Sequence, residues 1–365
     1  MMNKKNRISN ILIIIVFIST LTLPQFIFWI IEPDIQEISE TENRTLNSKP
    51  EFKLSTISEY PKKFEDYYND YLPFREDLRG IWSDINFDIF HTTVDEKVLI
   101  GKDGWLFFRG NTSIEQVQGI AEYTEEDKRN ILNGLQNNEN KLKNKNIEMY
   151  VLILPNKENV YKEKLPTSIP IKNNISRTEQ LIDYIKNNSD INIVYPKTEL
   201  LKVKEKHQIY KKYDTHWNRI GALVGAVSLQ KAIDEKYVYD LENITIEKNN
   251  TKETRDLATM ANLQDKVFEK SIIVNDFYPN IEYEVKNRDY YQEFTSNSTN
   301  DKTLLFVGDS FSEALKVYLP KLYKRVIFVH RVNYNEELLD TIKPDIVVTE
   351  AVERFSELFS DGYIL

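Results

Sequence analysis

The 365-residue sequence predicts an α/β fold: a central parallel sheet flanked by helices, preceded by one transmembrane helix. Three observations carry that expectation. Short apolar runs of strand length alternate with stretches of helical period, most regularly near the C-terminus. Several of those runs are apolar on consecutive residues, as in strands covered on both faces. An uncharged run of bilayer length follows a basic cluster near the N-terminus.

The N-terminal run comes first. "NKKNR" places Lys4, Lys5 and Arg7 ahead of "ILIIIVFISTLTLPQFIFWII", Ile11–Ile31, which carries no charge. At ~1.5 Å per residue such a helix reaches about 30 Å, the thickness of a hydrocarbon core. A cleaved signal peptide has a shorter apolar region, about 7–15 residues, and ends in a small-residue site. Here Glu32-Pro33-Asp34 closes the run with no Ala-x-Ala pattern, and Trp29 suits the membrane interface. The expectation is an uncleaved single-pass anchor in the cell membrane. The positive flank keeps the N-terminus cytoplasmic and places residues 32–365 outside. Residues 1–31 are then cytoplasmic N-terminus and anchor, 32–60 a polar tether, and 61–365 one extracellular domain.

Within that domain, "YPKKFEDYYNDYLPFREDLRGIWSDINFDIF" reads as amphipathic helix interrupted at Pro73. "VLIGKDGWLFF", Val98–Phe108, reads as a hairpin, and residues 61–123 form a helical and hairpin lead-in. A charged helix from Thr124 to about Asn144 leads into the strand "IEMYVLILP". "SRTEQLIDYIKNN" is a helix with a Ser176 cap, and "INIVYP" is the next strand. The alternation resumes with "KTLLFVGD", "SFSEALKVYL", "RVIFVHR", "NEELLDTI" and "DIVVTEAV". Between the halves, about 239–300, lies a region rich in Asn, Thr, Glu and Tyr, expected to be a loop-rich insertion.

Composition excludes several functions. The net charge is −9, and the lysines are interleaved with acidic residues, so a nucleic-acid backbone is not the expected partner. The absence of Cys removes disulfides, thiolate nucleophiles and Cys-ligated metals. The four histidines, His91, His207, His216 and His330, do not sit at metal-ligand spacing, so neither a metal nor another cofactor is expected.

Two motifs carry chemistry. In "YKKYDTHWN", Asp214 and His216 are two apart, so in an extended segment both point to one side. A carboxylate on one imidazole nitrogen fixes the tautomer and leaves the other free to take a proton. Asn218 is placed to cap the helix "RIGALVGAVSLQKAI". In "LLFVGDSFSEAL", Ser310 sits where a buried strand meets a helix, and ligands in parallel sheets bind at the carboxyl ends of strands. Gly308 permits a tight turn, and helix-start N–H groups can stabilise an oxyanion. Each motif alone also fits a bland role: Asp and Ser are ordinary helix caps, and an Asp–His pair can merely satisfy a loop. Together they supply a nucleophile, Ser310, a base, His216, and its orienter, Asp214, with Asp309 as the cap. Gly308 at the turn, Lys157 and Tyr161 after "YVLILP", and Arg354 after "DIVVTEAV" lie at strand ends as candidates for the oxyanion site or substrate cleft, Arg354 also for an anionic glycan. An ordinary surface or packing role is the preferred reading of Lys157, Tyr161 and Arg354.

With "DTHW" at 214–217 and "GDSFS" at 308–312, the sequence resembles the alginate O-acetyltransferases AlgX and AlgJ and the DHHW-type proteins of Gram-positive bacteria. "ENRTL" at 42–46, "FEDYYNDYLPFREDL" at 64–78, "GKDGWLF" at 101–107, "PNKENVY" at 155–161 and "ERF" at 353–355 support the match in the same order. The resemblance implies an SGNH-hydrolase-like, flavodoxin-like domain in permuted order, with Asp-x-His before the Ser. It implies acetyl transfer to an envelope polysaccharide through an acetyl-serine, and a membrane-bound O-acyltransferase partner that supplies the acetyl group. Thr215 stands where DHHW proteins have a second His, and the usual Asn-containing oxyanion block is not found. A carbohydrate acetylesterase and a non-catalytic scaffold of polysaccharide assembly are the alternatives.

Overall fold

The computed structural model describes residues 4–28, 30, 46–72, 74–252 and 255–361. Two compact units are present, Met1–Ile89 and Phe90–Leu365, so the lead-in expected at 61–123 is divided between them.

In the first unit, Lys4–Phe28 is a single helix whose Ile8–Phe28 segment is long and apolar enough to cross a membrane, with mean hydropathy 2.4. An anchor and a secretion signal share that property. Trp29, Ile31, the Glu32-Pro33-Asp34 stop and the first part of the tether lie outside the described residues, as does Pro73. Helices Tyr60–Asp70 and Arg75–Ile85 flank Pro73 as the aromatic spacing predicts. Asp70 accepts hydrogen bonds from the Asn47 backbone and side chain, both at 2.8 Å, which fastens the end of the tether.

The second unit opens with the predicted hairpin, β1 (Val98–Ile100) against β2 (Leu106–Phe108). The sheet strands that follow are β3 (Glu148–Leu154), β4 (Asn192–Val194), β7 (Tyr283–Asn287), β8 (Tyr291–Ser296), β9 (Thr303–Gly308), β10 (Arg325–His330) and β11 (Ile346–Val352). Their order is β4-β3-β11-β9-β10-β8-β7. The first five are parallel, while β8 and β7 join as an antiparallel edge. The expected parallel sheet is therefore the core of a mixed one. The region 239–300 carries more strand than expected, since it holds β7, β8 and a separate pair, β5 (Ile246–Lys252) with β6 (Lys270–Val274).

Consecutive apolar residues make the parallel core because both sheet faces are covered. Leu304, Phe306 and Val348 pack into one layer with the helix Arg219–Ile233. Leu305, Val307 and Val347 pack into the other with Glu125–Lys143 and Arg177–Asn188. Thr124 and Ser176 start those two helices through reciprocal capping boxes with Asp127 and Glu179. Asn218 caps Arg219–Ile233, its Oδ1 accepting from the Ile220 and Gly221 N–H groups at 2.9 and 3.1 Å.

That helix is pressed against the segment before it. A Cβ at Gly221 would stand 2.3 Å from the Ile209 carbonyl oxygen, and one at Gly225 2.5 Å from the Trp217 ring. Gly221→Ala should therefore destabilise the protein by about 1–3 kcal/mol, read as a lower urea midpoint at unchanged slope. An unchanged midpoint would mean that this contact can relax freely.

Candidate active site

β9 ends at Gly308, and the chain turns at once. Asp309 caps the 3-10 helix Ser310–Val317, its Oδ1 accepting from the Phe311 N–H at 2.9 Å. Its other oxygen accepts from the Val352 N–H at 3.2 Å, so Asp309 also joins the turn to β11. Ser310, relieved of capping, is exposed, and the expected division between cap and free serine appears in the geometry.

The segment 210–217 is not a sheet strand, as its alternation had suggested. It is a tight loop closed by an isolated bridge between Tyr210 and Trp217, with the Lys211 N–H donating to the His216 carbonyl at 3.1 Å. Asp214 and His216 meet through this turn rather than through strand pleat. Asp214 Oδ1 accepts from the His216 backbone N–H at 2.9 Å and lies 2.7 Å from ring Nδ1. With Nδ1 as donor, Nε2 is left as acceptor, and it stands 2.8 Å from Ser310 Oγ. Burial pushes the Asp214 carboxyl up, but the His216 hydrogen bond and the Lys211 charge outweigh it and hold the group below its ordinary value. The buried Trp217 ties the two motifs together, its Nε1–H donating to the Phe311 carbonyl at 3.0 Å. Phe311 in turn sits beside the His216 ring, centroids 4.7 Å apart.

Ser310 and His216 open on a cleft of about 770 Å³ lined also by Lys211, Arg219, Arg255, Asp256 and Glu313. The weaker candidates from the sequence do not line it. Gly308 is buried against Glu350, Tyr161 is buried with its hydroxyl accepting from the Ile209 N–H at 3.0 Å, and Arg354 is buried with Nη1 on Asn156 Oδ1 at 2.9 Å. Lys157 is buried beneath the loop, where its Nζ donates to the carbonyls of Leu106, Lys212 and Asp214 at 2.5, 2.9 and 2.9 Å. Strand-end position located these residues correctly along the sheet but could not give the side-chain direction.

Asp256, from the 239–300 region, was missed. Its carboxylate accepts from the Thr215 N–H at 2.7 Å, the Leu257 N–H at 2.6 Å and the Thr215 hydroxyl, and stands 3.6 Å from His216 Nδ1. Thr215, noted as a departure, was the only sequence signal near it. Asp214, His216 and Asp256 are close enough to hold a metal ion, their ligand atoms lying within 4.8 Å of one another. Their facing oxygens are already committed to N–H and O–H donors, which describes a hydrogen-bond network rather than a metal site.

A serine at the carboxyl end of a parallel strand, backed by a histidine and a carboxylate, defines the class as an SGNH-like α/β domain. Residues 98–330 match the family described as "SGNH hydrolase-like domain, acetyltransferase AlgX", and the chain belongs to that family. The curated relatives include the probable alginate O-acetylase AlgJ of Pseudomonas aeruginosa, 25% identical over 184 residues, 49% of this chain and 43% of the relative. AlgJ of Pseudomonas syringae pv. tomato is 25% identical over 181 residues, 48% and 43% of the two chains. The match thus spans less than half the length of these relatives. Among solved structures, Bacillus cereus PatB1 with a sulfonyl adduct has a TM-score of 0.51 at 15% identity, covering 72% of this chain and 97% of its own. A DHHW family protein from Eubacterium siraeum has a TM-score of 0.51 at 14% identity, covering 72% and 92%. These likenesses support the fold.

Lys157 gives a test of how the loop is held. Burial pushes its amine down from the ordinary 10.5 to about 8, against the upward pull of Glu158 and Asp214. The unfolded chain therefore binds the extra proton between those values, so this group's contribution to stability rises with pH across that window. Lys157→Met should cost roughly 2–5 kcal/mol at pH 7, because the carbonyls of Leu106, Lys212 and Asp214 each lose a charged donor. The wild-type advantage over the variant should grow, by up to on the order of 3 kcal/mol, as pH rises from about 8 to 10.5. Urea unfolding at several pH values checks both parts, and a pH-independent gap would contradict the second.

Proposed function

We propose that the protein is a polysaccharide O-acetyltransferase of the cell envelope, working through an acetyl-serine on Ser310. The observation that carries this reading is the continuous contact from Asp214 to His216 to Ser310, at 2.7 and 2.8 Å. A serine hydroxyl attacks only when a base takes its proton, and here Nε2 faces Oγ while Asp214 steadies the imidazolium that forms. Ser310 Oγ adds to the acetyl carbonyl as His216 accepts its proton. The tetrahedral oxyanion collapses, the donor's leaving oxygen departs with that proton, and acetyl-Ser310 remains. A sugar hydroxyl then attacks, giving its proton to His216, and Ser310 recovers it on release. The Ser310 backbone N–H is read as an oxyanion donor, since the Phe311 and Ser312 N–H groups already donate to Asp309.

The acetyl specificity follows from family membership, and the polysaccharide acceptor from the naming of the AlgJ relatives as probable alginate O-acetylases. The N-terminal apolar helix is read as the anchor that holds the domain on the outer face of the membrane, beside a membrane-bound O-acyltransferase that delivers acetyl groups. Transfer and hydrolysis share every step up to the acyl-enzyme and differ only in whether sugar or water resolves it.

Full-length protein in detergent, treated with an activated acetyl ester, should gain one acetyl mass on the peptide containing Ser310. Ser310→Ala and His216→Ala should abolish the adduct, and Asp214→Asn should slow acylation by roughly 10³–10⁴-fold. Adding alginate oligomers should then yield acetylated sugar. Release of free acetate alone would replace the transferase with an esterase, and no adduct at all would favour the scaffold.

A further inference from the structure

Behind the Ser310 turn lies a carboxyl that the reaction above does not use. Glu350, in β11, is completely buried, and its Oε2 accepts from the Asp309 N–H at 2.9 Å. It is packed so closely under the turn that a Cβ at Gly308 would stand 2.4 Å from that same oxygen. The other Glu350 oxygen, Oε1, is buried with no hydrogen-bond partner among the described residues. Asp309 is 5% exposed, and its oxygens already accept from the Phe311 and Val352 N–H groups. Arg331 acts on the pair from a distance, its Nη1 standing 3.9 Å from Asp309 Oδ2.

Two carboxyls buried side by side, with one guanidinium 3.9 Å from Asp309, resist ionising together. A proton on Glu350 removes that repulsion and leaves both Asp309 oxygens accepting from the Phe311 and Val352 N–H groups. We propose that Glu350 is a positioning residue for Ser310: as a neutral acid it accepts the Asp309 N–H and sets no charge against the Asp309 carboxylate. The turn that aims Ser310 at His216 is thereby held from below. Burial first, and the Asp309 charge second, push the Glu350 carboxyl well above its ordinary value, in keeping with that state. Losing the proton sets two negative charges against each other under the nucleophile, so the turn is pH-sensitive in the alkaline direction. A glutamine can accept the same N–H bond but cannot ionise.

The inference rests on Ser310 being the nucleophile, and the test separates the two claims. The rate of Ser310 acylation by 4-nitrophenyl acetate is measured from pH 6 to 10 on the full-length wild type, Glu350→Gln and Glu350→Leu. The wild type should fall reversibly by tenfold or more at the alkaline end. Glu350→Gln should keep within about threefold of the wild type at pH 7 and lack that fall. Glu350→Leu, checked for folding by circular dichroism, should be slower by at least tenfold at pH 7. Superimposable wild-type and Gln profiles, or a folded Leu variant with the wild-type rate, would overturn the proposal.

Thermal unfolding of the same proteins needs no chemistry. A group raised above its unfolded value stabilises the fold at low pH and loses that contribution as pH rises, starting here near 4.5. The wild-type Tm should therefore fall relative to the Gln variant as pH climbs, and a constant difference would overturn the neutral acid. A wild type that is never acylated on Ser310 refutes the nucleophile reading, while the Tm series still decides the state of Glu350.

Discussion

The site depends on one hydrogen bond between segments far apart in the chain, the Trp217 indole donating to the Phe311 carbonyl across 94 residues. Trp217 follows His216 and Phe311 follows Ser310, so a fixed indole–carbonyl distance leaves little freedom in the approach of Nε2 to Oγ. The indole is held in turn by what surrounds it. It is 1% exposed, and only a residue without a side chain at Gly225 leaves room for its ring. The helix that presents Gly225 starts at the Asn218 cap, one residue beyond Trp217. Cap, glycine face and indole therefore act as one unit, and the His216–Ser310 contact is its product.

Loops carry the reactive groups, and the cost of fixing loops is met by burying charge beneath them. Lys157 satisfies three carbonyls of the hairpin and the 210–217 loop. Glu158 accepts from the Phe108 N–H at 2.8 Å, and Glu353 accepts from the Asn156 N–H at 2.8 Å and the Tyr195 hydroxyl at 2.7 Å. Burial pushes both carboxyls up. The motifs "PNKENVY" and "ERF" thus act as a polar floor under the carboxyl ends of β3 and β11. An apolar floor of the same volume would leave loop N–H and C=O groups without partners, which costs more per group than a hydrogen bond contributes.

The legibility of each part in the sequence follows from the same physics. β3, β9, β10 and β11 were readable because strands covered on both faces need consecutive apolar residues, and few other environments do. β7 and β8 were not, since an antiparallel edge with one wet face tolerates "YEVKN" and "YQEFTS", which read equally well as loop. Ser310, His216 and Asp214 could be paired because each motif carries its own local geometry. Asp256 could not, because its bond to Thr215 spans 41 residues and an isolated aspartate leaves no pattern. Lys157, Tyr161 and Arg354 lie at the expected end of the sheet and pack inward, in keeping with the packing role preferred for them. A strand end specifies a neighbourhood, while packing decides which side chains turn outward.

Thr215 shows how a departure from a family pattern can be absorbed locally. A second histidine there would bring a bulky ring to the place where the Thr215 hydroxyl and N–H now hold Asp256. The small side chain lets that carboxylate stand 3.6 Å from His216 Nδ1, while Asp214 keeps the direct bond at 2.7 Å. In the proposed reaction the imidazole becomes positive as Ser310 gives up its proton, and two carboxylates on the Nδ1 side of the ring stabilise that charge. They are not equivalent. Asp214 is buried and shares one oxygen between the ring and the backbone of the same residue, so it sets direction as well as charge. Asp256 reaches the ring only through space and faces the cleft, so its contribution is weakened by solvent. Orientation therefore rests on Asp214, and Asp256 adds charge that a bound substrate, by excluding water, would strengthen.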